Sequence, residues 1–521
     1  MQKFLKKNKS SNFYWLMKFI NNCKKFINLR KLNSYPNHEK TNKSVLIFSS
    51  ISMFSDHLII DSALSSFLKK NNAKVRIVLC DRAMPICHVS DRYSYSDNIK
   101  SKLLTKQKQK AICDYCINSK KIHGLLSNEE QLNYSEGIDF FIKNSFKDPV
   151  ITNLNEYIDS GIIRFSASSE NEQINLIPDW IKKDYENAAI SSYKAIFGLI
   201  SKYEPDIVIG HHGIYVPQGL VQMVSRKLKK TFYSWHFGYR KKTLIFSKGD
   251  TYHKEMIFIP NKNFSTKLKS FEKKEILDYL KSRHSGKKDW IYFNRDSSSV
   301  NFEINKNKTI SLFTSVDWDA ALHFPSSVYK SQFDFLSDVI EIFKNYLDLN
   351  LIIRIHPAEI TGSNPAYVSS EDYIRKLNPS SNVKIISSSS KVSSYEIAQN
   401  SKAVIVYNTK MGIELPPLGI PVIVAGDSWI RGKGFSYDVN KQNSLDSYIR
   451  NIDNLFLSKE QIELSIQFAH YFYFKRCIQV DALESAGKSF QINFDKSKLY
   501  NDKFGFDFIT KKILKEQDIC H

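Results

Sequence analysis

Five short apolar runs in the second half of the chain constrain its fold more than any other feature. They are TISLFTS (309–315), NLIIRI (350–355), VKIIS (383–387), KAVIVYN (402–408) and IPVIVAG (420–426). Each has strand rather than helix length and is rich in β-branched residues. Between them stand SQFDFLSDVIEIFKNYL, SSEDYIRKLN, SSYEIAQNS and TKMGIELPPLG, read as helices and a helical turn. Strands that are apolar without alternation are covered on both faces, as in parallel sheets flanked by helices. The alternation predicts a Rossmann-like domain over 309–460 with right-handed crossovers.

The first half has the same rhythm. SVLIFSS (44–50) is a strand, HLIIDSALSSFLKKNNA a helix with Ile60, Ala63, Leu64, Phe67 and Leu68 on one face, and KVRIVLC a strand. A helix, a strand at 206–210, a polar turn, a helix and a strand near 231–235 follow. This gives an N-terminal α/β domain over 44–295, with polar insertions at about 90–180. Residues 296–308, DSSSVNFEINKNK, read as a linker, and 461–521 as C-terminal helices. At 521 residues the chain is too long for one ordinary core. The expected fold class is therefore α/β, two doubly wound domains facing across a cleft, with a helical C-terminal segment.

Charge narrows the partners. Lys and Arg number 75 against 53 Asp and Glu, a net +22, which favours anionic ligands. The chain is Lys-, Asn-, Ile- and Ser-rich throughout, so part of that surplus is composition, and no compact basic-aromatic module for nucleic acid is present. Residues 1–43 form a basic arm: the first 31 hold nine Lys or Arg and no acid, interleaved with Phe4, Leu5, Phe13, Trp15, Leu16, Met17, Phe19 and Ile20. Such a segment suits the surface of an anionic membrane or a solvated tail. Lys18 breaks its apolar run, so it is not read as a signal peptide, and no run of 18 apolar residues predicts a span. The expected location is cytoplasmic, with peripheral contact on the inner face of the cytoplasmic membrane.

Seven cysteines in such a chain argue against a disulfide framework. Four fall close together: Cys80 and Cys87 in LCDRAMPIC, Cys113 and Cys116 in AICDYC. The CxxC pair suits two thiolates on one tetrahedral ion, a structural zinc. Separate buried thiols or a redox pair are the alternatives.

In doubly wound sheets, ligands bind beyond the carboxyl ends of the strands. The first strand of the second domain runs into Thr314 and Ser315, with Asp317 and Asp319 read as helix caps. The second runs into His356, Pro357 and Glu359; the fourth into Asn408, Thr409, Gly412 and Glu414; the fifth into a loop with Arg431 and Lys433. Hydroxyls, amides and cations on one rim suit a nucleotide phosphate, with Gly412 allowing close approach at a helix start. In the N-terminal domain His211, His212, Tyr215, His236, Tyr239, Arg240, Asp250 and His253 follow strands, and His212 and Asp250 are the chosen candidates for an acceptor base.

IRIHPAE, VYNTKMGIELPPLGIPVIVAG and RGKGFSYD resemble the C-terminal half of capsule polysaccharide biosynthesis proteins, glycosyltransferases of GT-B architecture that include bacterial capsule β-Kdo transferases. The likeness covers about 309–440, more loosely DWDA, HHGIYVPQG and SWHFGYRKKTLIFSKGDTYH. The HP pair also occurs in bacterial sialyltransferases, where it contacts a cytidine nucleotide. The resemblance implies a metal-independent enzyme that transfers a sugar from a nucleotide-sugar donor, CMP-linked among the options, to a surface polysaccharide or glycolipid, with no catalytic cofactor. It puts His356 and Pro357 at the donor, Asn408, Thr409 and Gly412 on phosphate and Glu414 on ribose. Alternatives are a polyol-phosphate transferase of the teichoic-acid type, a sugar-nucleotide 2-epimerase, and a non-catalytic membrane-associated assembly factor.

Overall fold

The structure is a computed structural model. It describes residues 41–50, 55–87, 89–91, 102–121, 131–168, 174–175, 177–283, 286, 288–290, 303–316, 318–319, 328–361, 369–486, 489–493 and 505–520. Residues 1–40 of the basic arm, residues 296–302 of the expected linker, and Asp317 lie outside the described residues.

The N-terminal sheet contains β1 (Ser44–Ser50), β2 (Lys74–Leu79), β3 (Gln131–Asn133), β4 (Ile207–His211), β5 (Thr231–Phe237), β6 (Thr243–Lys248) and β13 (Ile478–Gln479), in the order β13-β6-β5-β4-β1-β2-β3. β3, β2, β1, β4 and β5 are mutually parallel, β6 runs antiparallel to β5, and β13 at the edge pairs antiparallel with β6. The second sheet has β7 (Thr309–Phe313), β8 (Asn350–Arg354), β9 (Val383–Ile386), β10 (Ala403–Val406), β11 (Val422–Val424) and β12 (Tyr437–Asp438), in the order β12-β11-β10-β7-β8-β9 and parallel throughout.

Why the strands read as unbroken apolar runs is now visible. Successive side chains alternate across a sheet, so one strand feeds two cores. Val45 and Ile47 pack with Ile207, Ile209 and Trp235 on one face, while Leu46 and Phe48 pack with Val78, Val208 and Phe232 on the other. Helix α1 (Ser55–Lys70) covers the first face; α3 (Asp179–Tyr203) and α4 (Gln218–Lys227) cover the second, and α2 (Lys102–Lys121) lies beyond β2. In the second domain Ile310, Leu312, Leu351 and Ile353 meet α7 (Gln332–Phe343), and Phe313, Ile352, Val404 and Val406 face the opposite core. That opposite core also takes Tyr252 and Met256 from α5 (Tyr252–Phe258) and Ile276 and Leu280 from α6 (Ser270–Ser282), so the two domains share apolar contact.

The fold is GT-B-like: two doubly wound α/β domains with the carboxyl ends of their parallel strands turned toward each other across a cleft. Several details differ from expectation. The 90–180 stretch supplies an edge strand, β3, as well as helices. β6 and β12 go beyond the expected strands: β6 is a buried strand between β13 and β5, and β12 a two-residue edge strand. The segment 461–521 is not simply helical. After α8 (Lys459–His470) a π-helix, Tyr471–Arg476, carries the chain back across the cleft. β13 then joins the first sheet, and α9 (Phe506–Leu514) packs on α1 through Phe506, Ile509 and Ile513.

Candidate active site

The strand ends of the second domain form a cavity of about 120 Å³. Thr314 follows β7, Arg354, His356 and Pro357 end β8, and Thr409, Lys410 and Glu414 follow β10. Arg283, at the C-terminal end of α6 in the first domain, completes the lining. Three cations, Arg283, Arg354 and Lys410, thus stand with one carboxylate, Glu414. Glu414 is saturated by its neighbours: Arg283 Nε lies 2.9 Å from Oε1, Tyr395 donates to Oε2 at 2.5 Å and Tyr473 to Oε1 at 2.9 Å. Its charge offsets Arg283, which also pairs with Asp289 at 2.8 Å. Arg354 donates through Nη1 to the Ile355 and Ser387 carbonyls and through Nη2 to the Ser390 carbonyl, so it is held by backbone. Arg283, Arg354 and Lys410 outnumber Glu414 and Asp289, which leaves the cavity net positive, the electrostatics of an anion site.

His356 is fixed by two backbone bonds. Its own N–H donates to Thr314 Oγ1 at 2.9 Å, and the Ala358 N–H donates to its Nδ1 at 3.1 Å. A backbone N–H can only donate, so Nδ1 accepts and the proton of the neutral ring sits on Nε2. Burial, then Lys410 and Arg354, pushes its pKa down to about 4, so the ring is a neutral donor at pH 7. Burial, then Arg283, pushes Lys410 down to about 8, with Glu414 and Asp289 acting in the opposite sense. Its ammonium lies 3.9 Å from the centroid of the Tyr239 ring in the first domain, a cation–π contact across the cleft. Burial lowers Arg354 to about 10, which leaves it charged at neutral pH.

Across the cleft, the ends of β4 and β5 carry a cluster of imidazoles. The ring centroids of His211 and His212 are 5.5 Å apart, those of His212 and His236 4.9 Å, and those of His57 and His211 3.9 Å. His212 occupies a left-handed backbone position, φ 64°, that a non-glycine residue adopts only when its surroundings impose it. Its ring stacks on Tyr215 at 5.4 Å. His236 Nδ1 donates to the Phe237 carbonyl at 2.8 Å, which leaves Nε2 as the lone-pair nitrogen. Burial lowers the His236 pKa, while Asp319 acts to raise it. Asp319 comes from the loop after β7 and accepts from the Tyr215 hydroxyl at 3.2 Å. The second domain therefore places a carboxylate against the imidazoles of the first.

The model of the capsule polysaccharide biosynthesis protein family matches residues 206–473. The chain belongs to that family. The matched span runs from β4 through the π-helix and includes both the imidazole cluster at β4 and β5 and the cationic cavity. Among solved structures, this capsule biosynthesis protein is similar to the β-Kdo 2,4 transferase KpsC of Thermosulfurimonas dismutans, with 14% identity, 56% of this chain and 85% of that chain covered, and a TM-score of 0.37. It is also similar to the β-Kdo 2,7 transferase of the same organism, with 13% identity, 62% and 88% coverage, and a TM-score of 0.34. The UDP-GlcNAc 2-epimerase of Neisseria meningitidis aligns at 12% identity, over 83% of this chain and 97% of that one, with a TM-score of 0.28. A search of curated protein sequences finds no match.

In this capsule biosynthesis protein the residues expected at the donor separate into two groups. Thr314, His356, Pro357, Thr409 and Glu414 line the cavity. Ser315 is not in the wall: its backbone N–H donates to Gln332 Oε1 at 2.6 Å and its carbonyl accepts from Gln332 Nε2 at 3.2 Å. Asn408 is half-buried beside the cavity and not in its wall. Gly412 serves packing: a Cβ there would meet Ile430 Cδ1 at 2.9 Å, and Gly412 is the second residue of a helix that spans only Met411–Glu414. Glu414 is engaged by Arg283, Tyr395 and Tyr473, the partners of a structural carboxylate rather than of a ribose.

Arg431 and Lys433 leave the expected anion loop as well. Arg431 pairs with Asp427 at 3.3 Å and donates to the Val424 and Val439 carbonyls, so it shapes its own turn. Lys433 is 5% exposed and donates to the carbonyls of Ile257 and Ile259 at 2.9 and 2.7 Å, a tie between domains. Asp250 pairs with Arg226 at 2.9 Å and accepts from the Thr251 N–H at 2.7 Å. Arg283, Arg354, Lys410 and Asp319 were not singled out from the sequence for these roles. Lys410 had a signal, one residue past Thr409 on the same strand end, and Arg354 precedes His356 by two. Arg283 had none, since it reaches the cavity from another domain.

Proposed function

We propose that this chain is a glycosyltransferase that moves a sugar from a nucleotide-sugar donor to a growing surface or capsular glycan. The observation that carries the reading is the net positive charge of Arg283, Arg354 and Lys410 over Glu414 and Asp289 around the His356 cavity, at the strand ends where a doubly wound domain binds a nucleotide. When the bond between anomeric carbon and phosphate oxygen breaks, its electron pair stays on the phosphate. Lys410, Arg354 and the Nε2–H of His356 stabilise that charge, and these side chains supply the cations that a metal ion supplies in other transferases.

The acceptor hydroxyl approaches from the imidazole side, its oxygen bonds to the anomeric carbon, and its proton passes to His236 Nε2. His236 has the tautomer for this step and Asp319 beside it to favour the imidazolium that forms. CMP-linked sugars head the donor candidates because of the HP pair, followed by UDP-, GDP- and CDP-linked ones. Among the described residues no helix is long and apolar enough to cross a membrane, and we assign the basic arm to peripheral contact with an anionic inner surface.

The test is thermal shift and transfer with a panel of CMP-, UDP-, GDP- and CDP-linked donors. A rise in melting temperature with one nucleotide class, lost in Lys410→Ala, supports the reading. No shift with any donor overturns it.

A further inference from the structure

A second cavity, of about 30 Å³, lies beyond the carboxyl ends of β1 and β2 in the first domain. Its walls include Cys80 at the end of β2, Cys87 in the loop that follows, and Cys113 and Cys116 on α2. The chain thus gathers four of its seven cysteines, from positions up to 36 residues apart, around a space of atomic size. Cys113 and Cys116 are three residues apart on a helix and so share a face. Met84, Val89 and Ile112 make up apolar wall. The loop is held against α2 by the Arg82–Asp114 ion pair, and Cys87 is held in place by its backbone N–H, which donates to Ser90 Oγ at 3.1 Å.

We propose that Cys80, Cys87, Cys113 and Cys116 bind one zinc ion as a tetrathiolate site that pins α2 to the first sheet. Four thiols from three elements match the coordination number and the ligand softness of structural zinc. A cavity of about 30 Å³ has room for a single ion. Among the described residues no three His, Cys, Asp or Glu side chains are already placed to hold a metal, so the thiols must turn inward between staggered χ1 wells when the ion enters. Each cysteine enters as a thiol, forms a sulfur–zinc bond and releases its proton to solvent. The site stands apart from the cationic cavity, so its success or failure is independent of the transferase reading.

The experiment uses the full chain, purified without chelator from zinc-supplemented cells. Elemental analysis should return about one zinc per chain. A mercurial reagent should release it, and exchange with cobalt should give the thiolate-to-cobalt charge-transfer and ligand-field bands of a tetrahedral sulfur site. Cys113→Ser with Cys116→Ser should lose the metal, while Cys477→Ser keeps it. The cobalt spectrum of the unaltered chain answers the question even where the double variant does not fold. Purified protein without zinc, zinc that survives the double variant, iron with inorganic sulfide, a Cys113–Cys116 disulfide, or cobalt lacking the charge-transfer band would each overturn the proposal.

Discussion

His356 and His236 carry their protons on opposite ring nitrogens. Ala358 donates to Nδ1 of the first, while Nδ1 of the second donates to the Phe237 carbonyl. One neutral ring therefore offers an N–H and the other a lone pair, and the charge of Lys410 acts to lower the pKa of both. In the proposed transfer, a single residue type would serve the two halves of the reaction because the backbone around each ring fixes a different tautomer.

Replacing His356 by Ala should lower kcat by about 100- to 1000-fold, the usual loss for one charge-stabilising donor, with the circular dichroism spectrum unchanged. Unaltered turnover would remove His356 from the mechanism. The same residue predicts a pH effect on stability. Its folded pKa of about 4 lies below the unfolded value of 6.5, so its contribution is full above pH 6.5 and is lost as the pH falls toward 4. Denaturant titration across that window should show unaltered protein losing up to about 3 kcal/mol more than His356→Gln.

His236→Gln should reduce kcat by about 100-fold or more while donor-induced thermal shift persists, because a base acts on the acceptor proton and not on the nucleotide. The acid limb of the pH–rate profile should lie below the ordinary imidazole value, since burial lowers its pKa. A variant that changes only KM would assign the ring to binding.

Lys410 loses its proton near pH 8. Donor affinity should therefore weaken as pH rises from 7 to 9 in the unaltered chain, by about tenfold where the ammonium contacts phosphate. Lys410→Arg should hold its affinity over the same interval, since guanidinium stays charged. Parallel pH dependences for the two proteins would show that the ammonium does not reach the donor.

Two carboxylates should respond differently to amide replacement. Glu414→Gln leaves the buried Arg283 without its full counter-charge and should cost about 3–5 kcal/mol in chemical denaturation. Asp250→Asn removes a partly exposed pair with Arg226 and should cost about 1 kcal/mol or less, with kcat within about twofold of the original. A large loss of turnover in Asp250→Asn would restore it as a base.

The sheet architecture was legible because parallel strands buried on both faces leave continuous apolar runs, and Ile310, Leu312, Ile353 and Val406 are such residues. The rim of the cationic cavity was legible for the same reason: once the strands are known, His356 and Thr409 must stand at their ends. Direction was not. Whether Arg431 points at a ligand or at its own carbonyls depends on a turn that leaves no periodic trace. Partners from distant elements were also hidden, as Arg283 on Glu414 and Tyr215 on Asp319 meet only after both domains have docked. Gly412 misled because close packing on Ile430 and close approach of a ligand ask for the same residue.

The return of the chain through the π-helix has a consequence for how such a molecule can be rebuilt. Lys43, just before β1, pairs with Glu516, just after α9, at 2.6 Å, so both ends of the described chain belong to the first domain. The second domain is topologically an insert, held by two crossings, one after Arg283 and one before β13. Removing α9 from the C-terminal side strips the cover from α1 in the first domain and leaves the second domain untouched. If the proposed donor role holds, exchanging nucleotide preference between relatives becomes a matter of replacing one internal cassette, from β7 to the π-helix, with both splice points in a single polypeptide and the sheet of the first domain left whole.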